Sequence, residues 1–181
     1  NQGFIKKHEF TRPKKEDDRT RHIDITNANT GPVFLTYRND GKLKNVILEI
    51  LNSHPDISFT ADDATFHALW KVENKIQIER LIDYFQVIPA LYIADGHHRA
   101  ASAARVQKIR EEANPNHSGY EPYNYFLSVI FPHDEMQILD YNRVAKDLNG
   151  FTEEQFHESI NKNFDIIPIP HPPSPIPENN Y

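Results

Sequence analysis

Ala90-Leu91-Tyr92-Ile93-Ala94-Asp95-Gly96-His97-His98-Arg99-Ala100-Ala101 decides how this chain is read. An apolar run stops at Asp-Gly, and two histidines and an arginine then open an alanine-rich segment. That pattern predicts a strand, a tight turn and a helix. The turn gathers backbone N–H groups, a glycine and three side chains that can carry positive charge at one helix start. The first amides of a helix lack intrahelical partners, and the helix dipole favours an anion there. Gly96 lets the backbone approach a ligand and tolerates positive φ. Amides from Gly96 to Arg99 can form a nest for oxygen atoms. Arg99 offers a planar fork for phosphate, and His97 and His98 add donors that titrate near neutrality. Asp95 is the odd member, since a carboxylate repels phosphate. It fits as the helix N-cap, as a magnesium ligand or as a general base for a hydroxyl group. The plain alternative is an ordinary Asp-Gly turn with solvated histidines. A metal site built from His97, His98 and Asp95 is disfavoured, because adjacent residues at a helix start point apart.

Outward from this box the pattern interleaves strands and helices and predicts an α+β fold. Residues 1–22 are dense in charge and read as a solvated arm or helix face. A helix is expected over 16–29, ended by Thr30-Gly31-Pro32. Val33–Tyr37 reads as a strand, and 42–53 as a helix from Val46, Ile47, Ile50 and Leu51. Ile57–Thr60 and 65–72 read as a hairpin about Asp62-Asp63. Asp62 and Asp63, with Thr65 near, are candidates to hold magnesium, against the alternative of a polar turn. Phe66 and Trp70 read as core rather than a stacking platform. Residues 74–85 form an amphipathic helix, and 100–113 continue as a helix after the box. Residues 123–131 read as a central strand, 138–144 as a further strand, 152–163 as a helix capped by Thr152 with Glu154 or Gln155, and 164–169 as a last strand. One α+β domain is expected over 1–167. The proline-rich 168–181 is expected to be a linker or tail.

Composition narrows the function. The 181 residues carry a formal net charge of -6, which argues against non-specific DNA binding. There is no cysteine, so disulfides, thiol nucleophiles and cysteine-based zinc sites are excluded. No apolar run reaches membrane-spanning length and no signal peptide is visible, so a cytoplasmic protein without membrane contact is expected. The chain begins at Asn1 and is expected to be a piece of a longer protein. Neither GxxxxGK[ST] nor GxGxxG occurs, so the ordinary P-loop and Rossmann readings fail. Oligomeric state cannot be read.

Four motifs in order resemble one family. They are Lys6-Lys7-His8-Glu9-Phe10-Thr11-Arg12 with Lys15-Glu16-Asp17-Asp18-Arg19, then Gly31-Pro32-Val33-Phe34-Leu35-Thr36-Tyr37. Ala94-Asp95-Gly96-His97-His98-Arg99 follows, and last Asp140-Tyr141-Asn142-Arg143-Val144 with Asp147-Leu148-Asn149-Gly150. The chain resembles domain-of-unknown-function family 1015 over about residues 3–151. Its members are roughly twice this length, so it looks like their middle part.

The box itself is similar to the phosphate-binding box of the ParB–sulfiredoxin superfamily. In sulfiredoxin a Gly-Cys-His-Arg turn holds nucleotide phosphates. Gly96, His98 and Arg99 match it, and His97 stands at the cysteine position, which excludes sulfiredoxin chemistry. Free serine kinases of that superfamily carry an Asp-Gly-x-His-Arg type box, with the Asp near the substrate hydroxyl; Asp95 matches. Their separate catalytic Glu lies upstream, and Glu9 is the nearest candidate. The resemblance therefore implies a phosphotransferase using ATP or ADP with Mg2+ and a small hydroxyl substrate such as serine. Arg12, Arg19 and Arg143 are candidates for further phosphate contacts. The rival readings are a nucleotide-sensing module without turnover and a ParB-like protein bound to CTP and DNA, the latter disfavoured by the acidic balance.

Overall fold

Leu91–Asp95 is a strand (β5) whose alternate residues Leu91 and Ile93 are buried while Tyr92 faces out. The strand ends at Gly96, which takes φ +97, and the helix α4 starts at once and runs His97–Ala113. This is the expected strand, turn and helix, seen in a computed structural model that describes residues 3–138 and 146–168.

Around this unit lies a mixed four-stranded sheet in the order β1-β5-β2-β6. β1 (Ile5–Lys6) runs parallel to β5, with Ile5 opposite Leu91. β2 (Val33–Tyr37) is antiparallel to β5, with Leu35 opposite Ile93. β6 (Ser128–Pro132) is parallel to β2. The core joins Val33, Leu35, Tyr37, Leu91 and Ile93 of the sheet to Leu43, Tyr84 and Ile88.

The helices follow from local signals. α1 (Pro13–Thr26) has proline at its start, where the fixed φ suits a helix and the missing N–H costs nothing, and ends on Asn27 in the left-handed conformation. α2 is Lys44–Leu51. α3 (Lys75–Val87) is capped by Asn74, whose side chain accepts the amides of Ile76 and Gln77. β3 (Ile57–Thr60) and β4 (Phe66–Leu69) form a separate two-stranded hairpin.

Several expectations need correction. The first residues are not wholly a solvated arm: Ile5–Lys6 joins the sheet, drawn in by the exposed parallel edge of β5. Residues 123–131 are not a central strand. Pro122–Asn124 is a short 3-10 turn, favoured by proline at its start, and β6 pairs with β2 alone among the described residues, at the sheet edge. Phe66 is not core but 66% exposed, because its hairpin lies outside the main sheet. Trp70 is half-buried and donates its indole N–H to the Ser53 carbonyl at 2.9 Å. Residues 164–168 form no strand, and Phe164 and Ile167 stay exposed. The strand expected over 138–144, and with it Arg143, falls almost wholly outside the described residues.

The chain divides into two compact units, Asn1–Glu135 and Met136–Tyr181. That division falls earlier than the change to proline-rich sequence at 168. The second unit contains α5 (Glu153–Asn161), which opens on a capping box between Thr152 and Gln155. Among the described residues no helix is long and apolar enough to cross a membrane.

Candidate functional site

Arg99 is the centre of the site. Its Nη2 lies 2.7 Å from Asp95 Oδ2, one helical turn back. Its stem crosses Gly31 and its guanidinium crosses Gly96. A Cβ on Gly31 would meet Arg99 Cδ at 3.5 Å, and one on Gly96 would stand 2.9 Å from Nε and Nη2. The two glycines and the carboxylate therefore fix the direction of a side chain that would otherwise sample many rotamers. Arg99 Nε is buried and has no hydrogen-bond partner among the described residues. A buried donor without a partner costs about 1–3 kcal/mol, so it favours any acceptor that can reach it.

This arginine borders a shallow cleft, shared with Arg19 and His22 of α1 and with Asn29, Thr30 and Gly31 of the following loop. Two arginines and a histidine thus converge beside the first turn of α4. Arg19 was a sequence candidate and reaches the cleft. His22 was not singled out; it stands one turn beyond Arg19 on the same helix face, and that i, i+3 spacing is the signal that marks it.

Several polar contacts join α1 to α4. The hydroxyl of Ser102, fully buried, donates to the Glu16 carbonyl at 3.2 Å. Arg105 pairs with Glu16 at 3.1 Å and Asp17 at 2.8 Å, and Arg110 with Asp24 at 3.1 Å and with Asn27. The small residues Ala100, Ser102 and Ala103 on α4 let the helices approach.

The two histidines have distinct surroundings. His98 Nε2 accepts the Arg12 backbone N–H at 3.0 Å. That ties the start of α1 to the box and occupies one ring nitrogen. Arg12 therefore reaches the box through its main chain. His97 is 5% exposed at its side chain, with Nδ1 3.5 Å from Glu9 Oε2 and its ring edge-on to His8 at a centroid distance of 4.5 Å. Its Nε2 has no partner among the described residues. Burial lowers the His97 pKa and the nearby His8 lowers it further, while Glu9 and Asp95 oppose the shift. Burial thus works against charge on His97, and Nε2 of His98 accepts the Arg12 amide on a lone pair, so the expectation of three cationic side chains at this turn reduces to Arg99.

Glu9 follows β1, and the pairing of β1 with β5 delivers it to the box. Its carboxylate is 66% exposed and open to a ligand. Asp95 does not cap α4. Gly96 is the N-cap, with no side-chain cap, because the Asp95 carboxylate turns to Arg99 instead. Asp62 and Asp63 stand in the turn of the separate hairpin, where Asp63 Oδ1 accepts the Thr65 amide at 2.9 Å. This local bond lowers the Asp63 pKa and is the ordinary use of Asp in a turn. Among the described residues no three His, Asp or Glu side chains gather as a metal-ligand group.

The arrangement defines an α+β protein with a mixed sheet and a basic cleft at a strand–turn–helix box. The chain belongs to the family described as protein of unknown function (DUF1015), which it matches over residues 1–180. No curated protein and no solved structure matches it.

Proposed function

We propose that the chain binds the phosphate groups of a nucleotide at the Gly96–Arg99 turn and passes a phosphoryl group to a small hydroxyl compound such as free serine. One observation carries this reading. Arg99, its direction fixed by Gly31, Gly96 and Asp95, lines one cleft with Arg19 and His22 beside the first turn of a long helix. Cationic side chains gathered on one concave surface near a helix start are what a phosphate site asks for.

Phosphoryl transfer asks mainly for positioning and charge neutralisation. Arg99, Arg19 and the α4 amides would hold the phosphates. Asp95, beside Arg99, would accept the hydroxyl proton as the substrate oxygen bonds to phosphorus and the bridging oxygen leaves with the nucleotide. The Glu9 carboxylate lies 3.5 Å from His97 Nδ1 at the box that Asp95 opens. Two carboxylates with substrate phosphates match the habit of Mg2+, which would neutralise the phosphate charge when bound. A second reading, nucleotide binding without turnover, is favoured by the Asp95–Arg99 ion pair, because it turns the carboxylate to the arginine instead of to an incoming hydroxyl.

The test mixes the protein with ATP or ADP, Mg2+ and L-serine and follows phosphoserine by phosphorus NMR, with nucleotide affinity measured by calorimetry. Phosphoserine supports the first reading. Binding without product supports the second, and absence of binding removes both.

A further inference from the structure

The cleft at Arg99 does not end there. Ile23 and Asn29, two of its lining residues, also line a neighbouring cavity of about 160 Å³. That cavity runs along α4 past Ala103 and Val106 and is walled by Tyr123 and Tyr125. Ala103, Tyr123 and Tyr125 also line a further cavity of about 300 Å³, which returns along the same helix to Ala100, the residue after Arg99. The cleft shares Ile23 and Asn29 with the first cavity, and that cavity shares Ala103, Tyr123 and Tyr125 with the second, so the hollows adjoin in series as a groove beside α4.

Its chemistry changes along its length. At the Arg99 end the groove is cationic. Further on, Ile23, Ala103 and Val106 give an apolar lining beside two aromatic rings. Polar groups share the lining, Arg110 and Asn124 among them. Asn27 is engaged by Arg110, and Gln107 by Glu111 and Asn124. Asn29 makes no side-chain hydrogen bond among the described residues, and it lies where the cationic and apolar parts meet. A carboxamide there offers donors and an acceptor together. From Arg99 the helix rises about 6 Å to Ala103 and about 10 Å to Val106, at 1.5 Å per residue. Inorganic phosphate cannot span that distance, but a nucleoside phosphate can.

We infer that this groove seats the nucleobase of the ligand, with the phosphates at Arg99, the base against Tyr125 over the Ala103–Val106 face, and Asn29 hydrogen-bonded to the base or sugar. The inference rests on the phosphate reading above and extends it. It makes the ligand a nucleotide rather than a sugar phosphate or pyrophosphate. A slot of mixed lining, with aromatic walls and directed polar groups, suits a planar heterocycle. Tyr125 serves stacking well, because its ring is 62% exposed and open to a ligand while it borders both cavities.

The experiment measures affinities of the protein for pyrophosphate and for ADP, GDP, CDP and UDP by calorimetry, in the presence of Mg2+. It is repeated with Tyr125→Ala and Asn29→Ala, both at exposed positions, after their thermal midpoints are shown to match the parent. At least one nucleoside diphosphate is expected to bind about tenfold or more tighter than pyrophosphate. Tyr125→Ala is expected to weaken that nucleotide about fivefold or more, the scale of one lost base stack. Asn29→Ala is expected to weaken it as well, and Tyr125→Ala should leave pyrophosphate unchanged. Equal affinity for pyrophosphate and all four nucleotides overturns the base site and leaves the phosphate site standing. A Tyr125→Ala effect that is absent, or equal on both ligand types, also overturns it. No binding of any of the five ligands overturns both.

Discussion

Arg99 lies so close over Gly96 that a Cβ on the glycine would stand 2.9 Å from two of its guanidinium nitrogens. Gly96 also takes φ +97, which L side chains rarely adopt. Gly96→Ala therefore carries two penalties, backbone strain of about 1–3 kcal/mol and displacement of Arg99. Its thermal midpoint is expected to fall, by about 2–4 °C for each kcal/mol in a chain of this size. Gly31→Ala is the control. Its Cβ meets Arg99 at an ordinary 3.5 Å, so the midpoint should hold. Equal midpoints for the two variants would show that Gly96 is not the strained position.

Arg99→Ala and Asp95→Asn separate binding from chemistry. Removing the guanidinium should weaken nucleotide binding about tenfold or more, the scale of a charge-assisted hydrogen bond. Asp95→Asn removes a negative charge from beside the phosphates and frees the arginine from its ion pair. Calorimetry should show nucleotide affinity unchanged or raised. Serine phosphorylation should fall by about 10²–10⁴, as for loss of a general base. A joint loss of affinity and turnover in Asp95→Asn would assign the carboxylate to ligand binding.

Burial lowers the His97 pKa, with His8 and His98 acting in the same direction and Glu9 and Asp95 against it. The sign follows from linkage. A depressed folded pKa means that the unfolded chain takes up its proton first as pH falls. The stability contributed by neutral His97 is complete above the ordinary value of 6.5 and is lost as pH drops from there toward the lower folded value. Urea unfolding at pH 7.5 and pH 5.5 should show a larger acid loss in the parent than in His97→Gln, which keeps a polar group without the titration. Parallel losses would move the acid sensitivity elsewhere.

Thr152 and Gln155 close the capping box of α5 at both of its bonds. Thr152→Ala is expected to cost the helix about 1 kcal/mol. Hydrogen exchange should quicken for amides of Glu153–Asn161 and stay unchanged in β2 and β5, whose core belongs to the other unit. Unchanged exchange in α5 would show that the cap contributes nothing measurable.

How much was legible depends on whether a signal was local. Leu91–Asp95, Val33–Tyr37 and the helix from Asn74 announce themselves through alternation, periodicity or a cap, and the structure keeps them. The pairing of Ile5–Lys6 with β5 is invisible locally, because two residues carry no periodicity and the partner lies far along the chain. The edge position of β6 is equally non-local, since an apolar run reads the same at an edge as in a centre. At the site, Asp95, Gly96 and Arg99 are consecutive enough to be recognised together, and Glu9 was chosen from the motif that precedes α1. The burial of His97 and the bond from Arg12 to His98 arise from tertiary contact, and so does the shared cleft of Arg19, His22 and Arg99. Residue order alone does not contain them.

The fastening of α1 has a consequence for conditions of measurement. Thr20 is its one buried residue, and charged pairs from Arg105 and Arg110 hold it to α4. Such pairs weaken as ions screen them, whereas the apolar core of the sheet does not. Ionic strength therefore acts selectively on one wall of the groove. In concentrated salt the strands would persist while α1, carrying Arg19 and His22, loosens from its neighbour. Ligand affinity would fall before any unfolding was detected, and the protein would be at once folded and unreceptive.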